Sequence, residues 1–372
     1  MKNLVIKNER NYLVFAGNAI SVMDNLPAKI YELRLDTEKG YSLDEIDNNF
    51  NITQKLYGNV EKISRQVLQS FDAIEGNLGV LISGSKGLGK SLTIKKIGSE
   101  ALEKGLPVIL VKQNLGNITS FIDTIHQPCV IVLDEFEKHY TNQTKTEQDE
   151  MERQDCLLNM FDSTLAAKKL FLLTCNDTRN LSEYLLNRPG RIHYHFKSNR
   201  LTIIEITEYC KDNLLSELHD RIPDICNMGA RIPDFSYDML RAVIFELNTY
   251  KSALEDVGHI LNIGGRTRSP FDFKVYFKSG KVETGFDYIN ISSTRLRLDW
   301  YGKQDFCRDY AYINPSKAQW MGTDNGSLVL TEDINWPTDD TDDDVKTDDR
   351  IEKIVFIPSK KGYLADGNDD DD

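Results

Sequence analysis

No stretch of this sequence stays apolar long enough for a membrane-spanning helix. The opening residues, "MKNLVIKNERNYLVF", lack the apolar core of a signal peptide, so a cytoplasmic protein is expected. Cysteine is sparse: six in 372 residues, at 129, 156, 175, 210, 226 and 307, with no Cys-x-x-Cys pair. None lies at metal-ligand spacing from a histidine. That pattern excludes a disulfide scaffold and a zinc ribbon, and reads as reduced thiols. Positive charge is also in deficit, since 45 Lys and Arg face 58 Asp and Glu, a formal net charge of −13. A body that binds nucleic acid through its overall field is therefore disfavoured, while a local basic groove stays open. Internal repeats are absent.

What is present suits a soluble protein of two or three domains: 40% hydrophobic and 28% charged residues. Residues 1–52 read as a small strand-rich extension. From 53 to 200 short apolar runs alternate with helical patterns. "LGVLIS" (78–83), "VILV" (108–111), "CVIVLDE" (129–135) and "KLFLLTCND" (169–177) read as buried strands. "VEKISRQVLQSF" (60–71), "LTIKKIGSEALEKG" (92–105) and "RQDCLLNMFDSTL" (153–165) read as helices. Apolar strands separated by helices indicate a parallel sheet covered on both faces, an α/β fold. Residues 201–262 read as a helical unit. After it the period changes to two: Phe271, Phe273, Val275 and Phe277 alternate with polar residues, and "RLRLDWY" (295–301) alternates likewise. Residues 263–336 are thus expected to form a β-domain. An acidic linker follows at 337–349, and 350–372 hold one more strand, "IEKIVFIP", and an acidic tail.

The strongest chemical signal is "GSKGLGKS", Gly84, Ser85, Lys86, Gly87, Leu88, Gly89, Lys90 and Ser91, with Leu92 just beyond. It follows a strand and opens a helix, the context a phosphate-binding loop requires. Glycines let backbone N–H groups converge on one concavity, and the helix N-terminus adds partial positive charge. Lys90 is expected on the β- and γ-phosphates and Ser91 on Mg²⁺. The second signal is the pair Asp134 and Glu135 at the end of an apolar strand. They are either an exposed strand end or, with a phosphate loop upstream, a metal-holding carboxylate followed by the base for the attacking water. The third is Asn176, which ends the next apolar strand. It is either a turn former or a neutral amide placed at the carboxyl edge of the sheet to orient water.

In this order, the phosphate loop, "VIVLDE", "LLTCND" and "NRPGRI" resemble the AAA clade of AAA+ ATPases, over about residues 53–262. The pattern is most similar to the branch that contains the mitochondrial Rieske-protein translocator, and it also resembles AAA+ ATPases of large tailed phages. The resemblance implies a P-loop NTPase parallel sheet with a helical lid. It implies ATP and Mg²⁺ as cofactors and a ring, expected to be a hexamer. It implies that Asn176 is sensor 1, that Arg188 and Arg191 are arginine fingers serving a neighbouring subunit, and that Tyr57 and Gly58 pass beside the adenine. The guanine motif Asn-Lys-x-Asp is absent, which favours ATP. The sequence departs from AAA unfoldases in its pore-loop region, where "VKQNLGNITSFIDTI" (111–125) has no aromatic before the glycine. The polar segment 137–153 reads either as a second pore-facing loop or as a solvated surface loop. The lid has no arginine at the usual start of its third helix, where "FSYDML" offers Asp238 with Arg241 one turn later, so sensor 2 is expected to be absent.

The expected activity is Mg²⁺-dependent ATP hydrolysis by a ring that remodels or moves a protein partner. Two alternatives accompany it: a DNA-associated motor or loader, and an ATP-gated scaffold with slow turnover. Nucleic acid is the less favoured partner, and no membrane is expected. The tyrosines and tryptophans of the β-domain, with Arg295 and Arg297, read either as base-stacking groups or, preferably, as sheet packing.

Overall fold

The computed structural model describes residues 4–8, 11–15, 21–36, 40–112, 118–140, 167–176, 191–197, 200–232, 234–251, 268–301, 308–322, 326–335 and 350–359. It also describes the single positions Phe161, Thr178, Leu181, Val257 and Leu261.

The chain starts with an antiparallel hairpin of β1 (Leu4–Asn8) and β2 (Asn11–Phe15). Strands β3 (Ile30–Asp36) and β4 (Gly40–Asp47) follow. Then come α1 (Val60–Ala73), β5 (Leu78–Ser83), α2 (Lys90–Glu103), β6 (Val108–Leu110) and α3 (Ile118–Asp123). After these lie β7 (Cys129–Leu133), α4 (Phe136–Tyr140), β8 (Lys169–Cys175) and β9 (Tyr194–Lys197). Seven strands form one sheet in the order β4-β3-β6-β7-β8-β5-β9, parallel except for the β3–β4 pair. Residues 30–47, placed by sequence in the N-terminal extension, are therefore two outer strands of the seven-stranded sheet. Ile30 pairs with Val108 of β6, and the apolar Ile30, Tyr31 and Leu33 are buried with the sheet's own residues.

The continuous apolar runs are explained by burial on both faces. Along β5, β7 and β8 alternate residues point to opposite sides. Leu81, Ile131 and Phe171 face one core, which includes Ile118, Ile122 and Phe136. Val80, Val130 and Leu172 face the other, against Val67, Leu68 and Phe71 of α1 and Ile94 and Ile97 of α2.

The lid comprises α5 (Ile203–Asn213), a 3₁₀ turn (Ser216–Arg221), α6 (Ile222–Arg231) and α7 (Tyr237–Tyr250). Thr202 and Glu205 form a capping box at the start of α5. The last unit is all β: β10 (Ser269–Phe277), β11 (Val282–Ile289), β12 (Leu296–Tyr301), β13 (Arg308–Ile313), β14 (Gln319–Trp320), β15 (Leu328–Leu330), β16 (Ile334–Asn335) and β17 (Ile351–Pro358). They make an antiparallel sheet β11-β10-β17-β15-β14 and a second sheet β12-β13-β16. The expected return of β17 takes it to the middle of the first sheet, between β10 and β15. Phe271, Phe273, Val275 and Phe277 point inward, and Trp300 packs edge-on against Phe273. Tyr310 and Tyr312 instead lie on the outer face, beneath the guanidinium groups of Arg297 and Arg295.

Lid and β-domain share one apolar core. Arg231, at the end of α6, reinforces the junction by donating to the carbonyls of Ala318 (2.7 Å), Ser316 (2.8 Å) and Ile291 (3.4 Å). Burial lowers its pKa, so the carbonyl oxygens offset a real desolvation cost. Arg231→Ala is expected to destabilise the fold by about 2 kcal/mol, because charge-assisted bonds are lost and carbonyls are left unpaired. Urea unfolding checks this; an unchanged midpoint would show that the shared apolar core alone holds the junction.

Candidate nucleotide site

The site forms at the carboxyl edge of the seven-stranded sheet, where β5, β7 and β8 end side by side. The loop from β5 into α2 bends through Gly87 (φ 76°) and Gly89 (φ 81°), both in the left-handed region. Gly87 is also held from outside. Its carbonyl accepts from the Tyr237 N–H at 3.0 Å, and a Cβ there would sit 2.7 Å from an Asp238 carboxylate oxygen. The lid is thus hooked to the loop at the start of α7.

Lys90 opens α2 and is buried. Its ammonium donates to the carbonyls of Gly84 (2.7 Å) and Ser85 (2.9 Å) and to Asn176 Oδ1 (2.8 Å). Burial lowers the Lys90 pKa, opposed by the nearby Glu137, Cys175, Asp134 and Glu135. Ser91 Oγ lies 3.2 Å from Asp134 Oδ2 and 3.3 Å from Oδ1. Two hard oxygen donors face each other at the loop's edge, a set suited to Mg²⁺.

Beyond Asp134 the chain turns sharply. Glu135 has φ 49°, unusual for a non-glycine residue, and its N–H donates to Thr174 Oγ1 at 2.8 Å. The Thr174 hydroxyl in turn donates to Asp134 Oδ1. The Glu135 carboxylate points outward to Lys138, whose ammonium holds it below the usual carboxylate range. Asn176 is fixed by Glu137, whose Oε1 accepts from the Asn176 N–H (2.9 Å) and Nδ2 (2.6 Å).

Lys90, Ser91, Asp134, Glu135 and Asn176 are therefore brought together. Thr174 and Glu137 join them without having been singled out. The signal for Thr174 was a hydroxyl inside the otherwise apolar run "LFLLTC", and for Glu137 an acid two places after Glu135. Tyr57 and Gly58 sit against the lid. The Tyr57 hydroxyl donates to Asp212 at 2.9 Å, and its ring packs on Tyr209 and Tyr237, the residue that is bonded to Gly87. Gly58 (φ 68°) leaves no room for a side chain, since a Cβ would approach Glu205 Oε1 to 2.1 Å. Arg241 faces Asp238 at 3.9 Å.

The two expected finger arginines fare differently. Arg188 lies outside the described residues, as do 113–117 of the pore-loop region and most of 137–153. Arg191 is 8% exposed within its own subunit, so in this conformation it is not presented to a neighbour. His195 Nε2 bonds with Ser83 Oγ at 2.8 Å, just ahead of the loop, and burial lowers its pKa to about 4. A neutral structural role follows for that histidine.

Residues 80–222 match the family model of the ATPase family associated with various cellular activities (AAA). This part of the chain has the P-loop AAA fold, α/β with a parallel sheet, and a β-rich unit follows it. Among solved structures the chain is similar to a mutant of RuvB from Thermotoga maritima. Sequence identity is 17% and the TM-score 0.36, over 55% of this chain and 69% of that one. No curated protein matches the sequence.

Proposed function

We propose that the protein is an Mg²⁺-dependent ATP hydrolase that works as a ring, a hexamer in the simplest form, and uses turnover to remodel or move a protein partner. The observation that carries this reading is the convergence of Lys90, Ser91, Asp134, Glu135 and Asn176 on one sheet edge. Lys90 trades its carbonyl contacts for β- and γ-phosphate oxygens, as a buried ammonium with modest neutral partners favours. Ser91 and Asp134 hold the metal, whose charge neutralises the phosphates when it is bound. Glu135 accepts a proton from the attacking water, and Asn176 orients that water. Tyr57 and Gly58 would pass beside the adenine, a role supported by the packing of Tyr57 on Tyr237, which is bonded to Gly87 of the loop. Arg188, and Arg191 if released from its burial, reach the γ-phosphate of the next subunit. Among the described residues no helix is long and apolar enough to cross a membrane, which fits the proposed cytoplasmic setting.

The test is complementation. Arg188→Ala is expected to keep ATP binding and to lose hydrolysis, because the chain cannot use this group on its own nucleotide. Mixing it with Lys90→Ala subunits should restore part of the activity, since each variant supplies what the other lacks. Phosphate release from mixtures across a range of ratios measures this. A flat, inactive series would remove the ring reading and leave the site to a single chain.

A second reading draws on the outer face of β12 and β13. Arg297 lies 4.0 Å from the Tyr310 ring centre and Arg295 5.3 Å from that of Tyr312. Such a face favours a nucleic-acid-associated motor. Single-stranded DNA that raises turnover at low salt and not at high salt supports that reading over the protein-remodelling one.

A further inference from the structure

We infer that Thr174 is a positioning residue for the acidic strand end, setting the direction of the Asp134 carboxylate and the turn that carries Glu135. The inference rests on the ATPase reading above and assigns a role to a residue that touches neither phosphate nor water.

Thr174 lies on β8 one step beyond the last β7–β8 pair, Leu133 with Leu173. It is therefore level with the point where β7 gives way to Asp134 and Glu135. The residue is fully buried, in a strand whose other members are Lys169 and apolar residues. Valine has nearly the same shape and no desolvation cost, so a hydroxyl at this place needs polar partners. It has two. It donates to Asp134 Oδ1 and accepts from the Glu135 N–H at 2.8 Å.

Each bond controls a different carboxylate. The first fixes Asp134 Oδ1 and with it the plane of the carboxylate, both of whose oxygens face Ser91 Oγ, at 3.3 Å (Oδ1) and 3.2 Å (Oδ2), so the donors of the proposed metal site are held together. The second satisfies an N–H that the strand ladder can no longer pair. Glu135 has left the strand with φ 49°, a left-handed conformation that costs a non-glycine residue energy and persists only when its surroundings hold it. The Thr174 hydroxyl is the acceptor that holds it. One side chain on β8 thus keeps the metal carboxylate and the base in register, although neither acid lies on β8.

The experiment compares wild type, Thr174→Val and Thr174→Ser by two readouts: binding of a fluorescent ATP analogue with and without Mg²⁺, and steady-state hydrolysis. In Thr174→Val the metal-free nucleotide affinity should stay within about twofold of wild type. The gain in affinity on adding Mg²⁺ should shrink about 10-fold, and kcat should fall about 10- to 100-fold with a smaller change in KM, the range found when a partner of a metal ligand is removed. Thr174→Ser, which keeps the hydroxyl and loses the methyl, should restore both. If valine prevents folding, Thr174→Ala carries the same comparison with the hydroxyl again absent. A Thr174→Ser variant as impaired as Thr174→Val assigns the residue to packing and overturns the inference, as does loss of metal-free affinity in Thr174→Val. A wild type that hydrolyses ATP alongside a Thr174→Val variant that matches it overturns this inference alone. A wild type that neither binds nor hydrolyses ATP overturns the ATPase reading as well.

Discussion

Lys90→Ala is expected to abolish measurable ATP binding, weakening it by at least about 100-fold, which corresponds to about 2.7 kcal/mol. The magnitude follows from what the ammonium does. It is buried, and its neutral partners are two carbonyls and one amide oxygen. Burial has already lowered its pKa, so the site holds a cation that is poorly compensated by its immediate neighbours. A doubly charged phosphate group compensates it far better, and charge-assisted bonds contribute about 1.5–3 kcal/mol each. Alanine removes those bonds and also unties Gly84, Ser85 and Asn176 from one another, so the loop loses its shape before the ligand arrives. Titration with a fluorescent nucleotide, with a melting curve beside it, separates lost affinity from lost fold. Wild-type affinity in this variant would remove the phosphate-loop assignment altogether.

The loop, the strands beneath it and the main acids were legible because their information is local. "LGVLIS" is buried throughout and carries no polar side chain before its last residue, Ser83, and "GSKGLGKS" has its glycines where φ is positive. The alternation of Phe271, Phe273 and Val275 likewise marked a one-sided strand. Pairings across long sequence gaps were not legible. Residues 30–36 look like any short amphipathic strand, and their place beside β6 depends on an edge some 80 residues away. Thr174 and Glu137 carry no motif. Their roles exist only because β7 and β8 lie side by side, so that a hydroxyl on one strand meets two residues at the end of the other. Arg231 shows the same limit at the domain junction. A basic residue near a helix end is ordinary, and its three carbonyl partners come from loops 60 to 87 positions further along the chain. Arg191 shows a further limit. It is buried in this conformation of the chain, and sequence order records which residue types occur together and not which way they face.

Glu135→Gln separates binding from chemistry more cleanly than any other substitution in the site. It should bind ATP as wild type does, lose at least about 100-fold in hydrolysis, as removal of a general base does, and accumulate the ATP-bound assembly. Glutamine keeps the size of the side chain and leaves the backbone untouched. The Glu135 N–H can still donate to Thr174, and the left-handed turn survives. What disappears is the negative charge, and with it the ability to take a proton and the ion pair with Lys138. Lys138 sharpens the case. It pairs with the Glu135 carboxylate and holds its pKa down, so the proposed base is ionised through the neutral range and well below it. The carboxylate is held by Lys138, so in the proposed mechanism Glu135 exchanges that partner for the water at the γ-phosphate. In the glutamine variant that competition vanishes along with the charge, and slow turnover then reports the missing base alone. Asp134→Asn provides the contrast, because there the Mg²⁺-dependent part of ATP affinity should fall together with the rate. Single-turnover phosphate release, with nucleotide occupancy measured on the same samples, distinguishes the two. Full occupancy with wild-type turnover in Glu135→Gln would assign the base elsewhere, and Glu137 would be the next carboxylate to test, since it already grips Asn176.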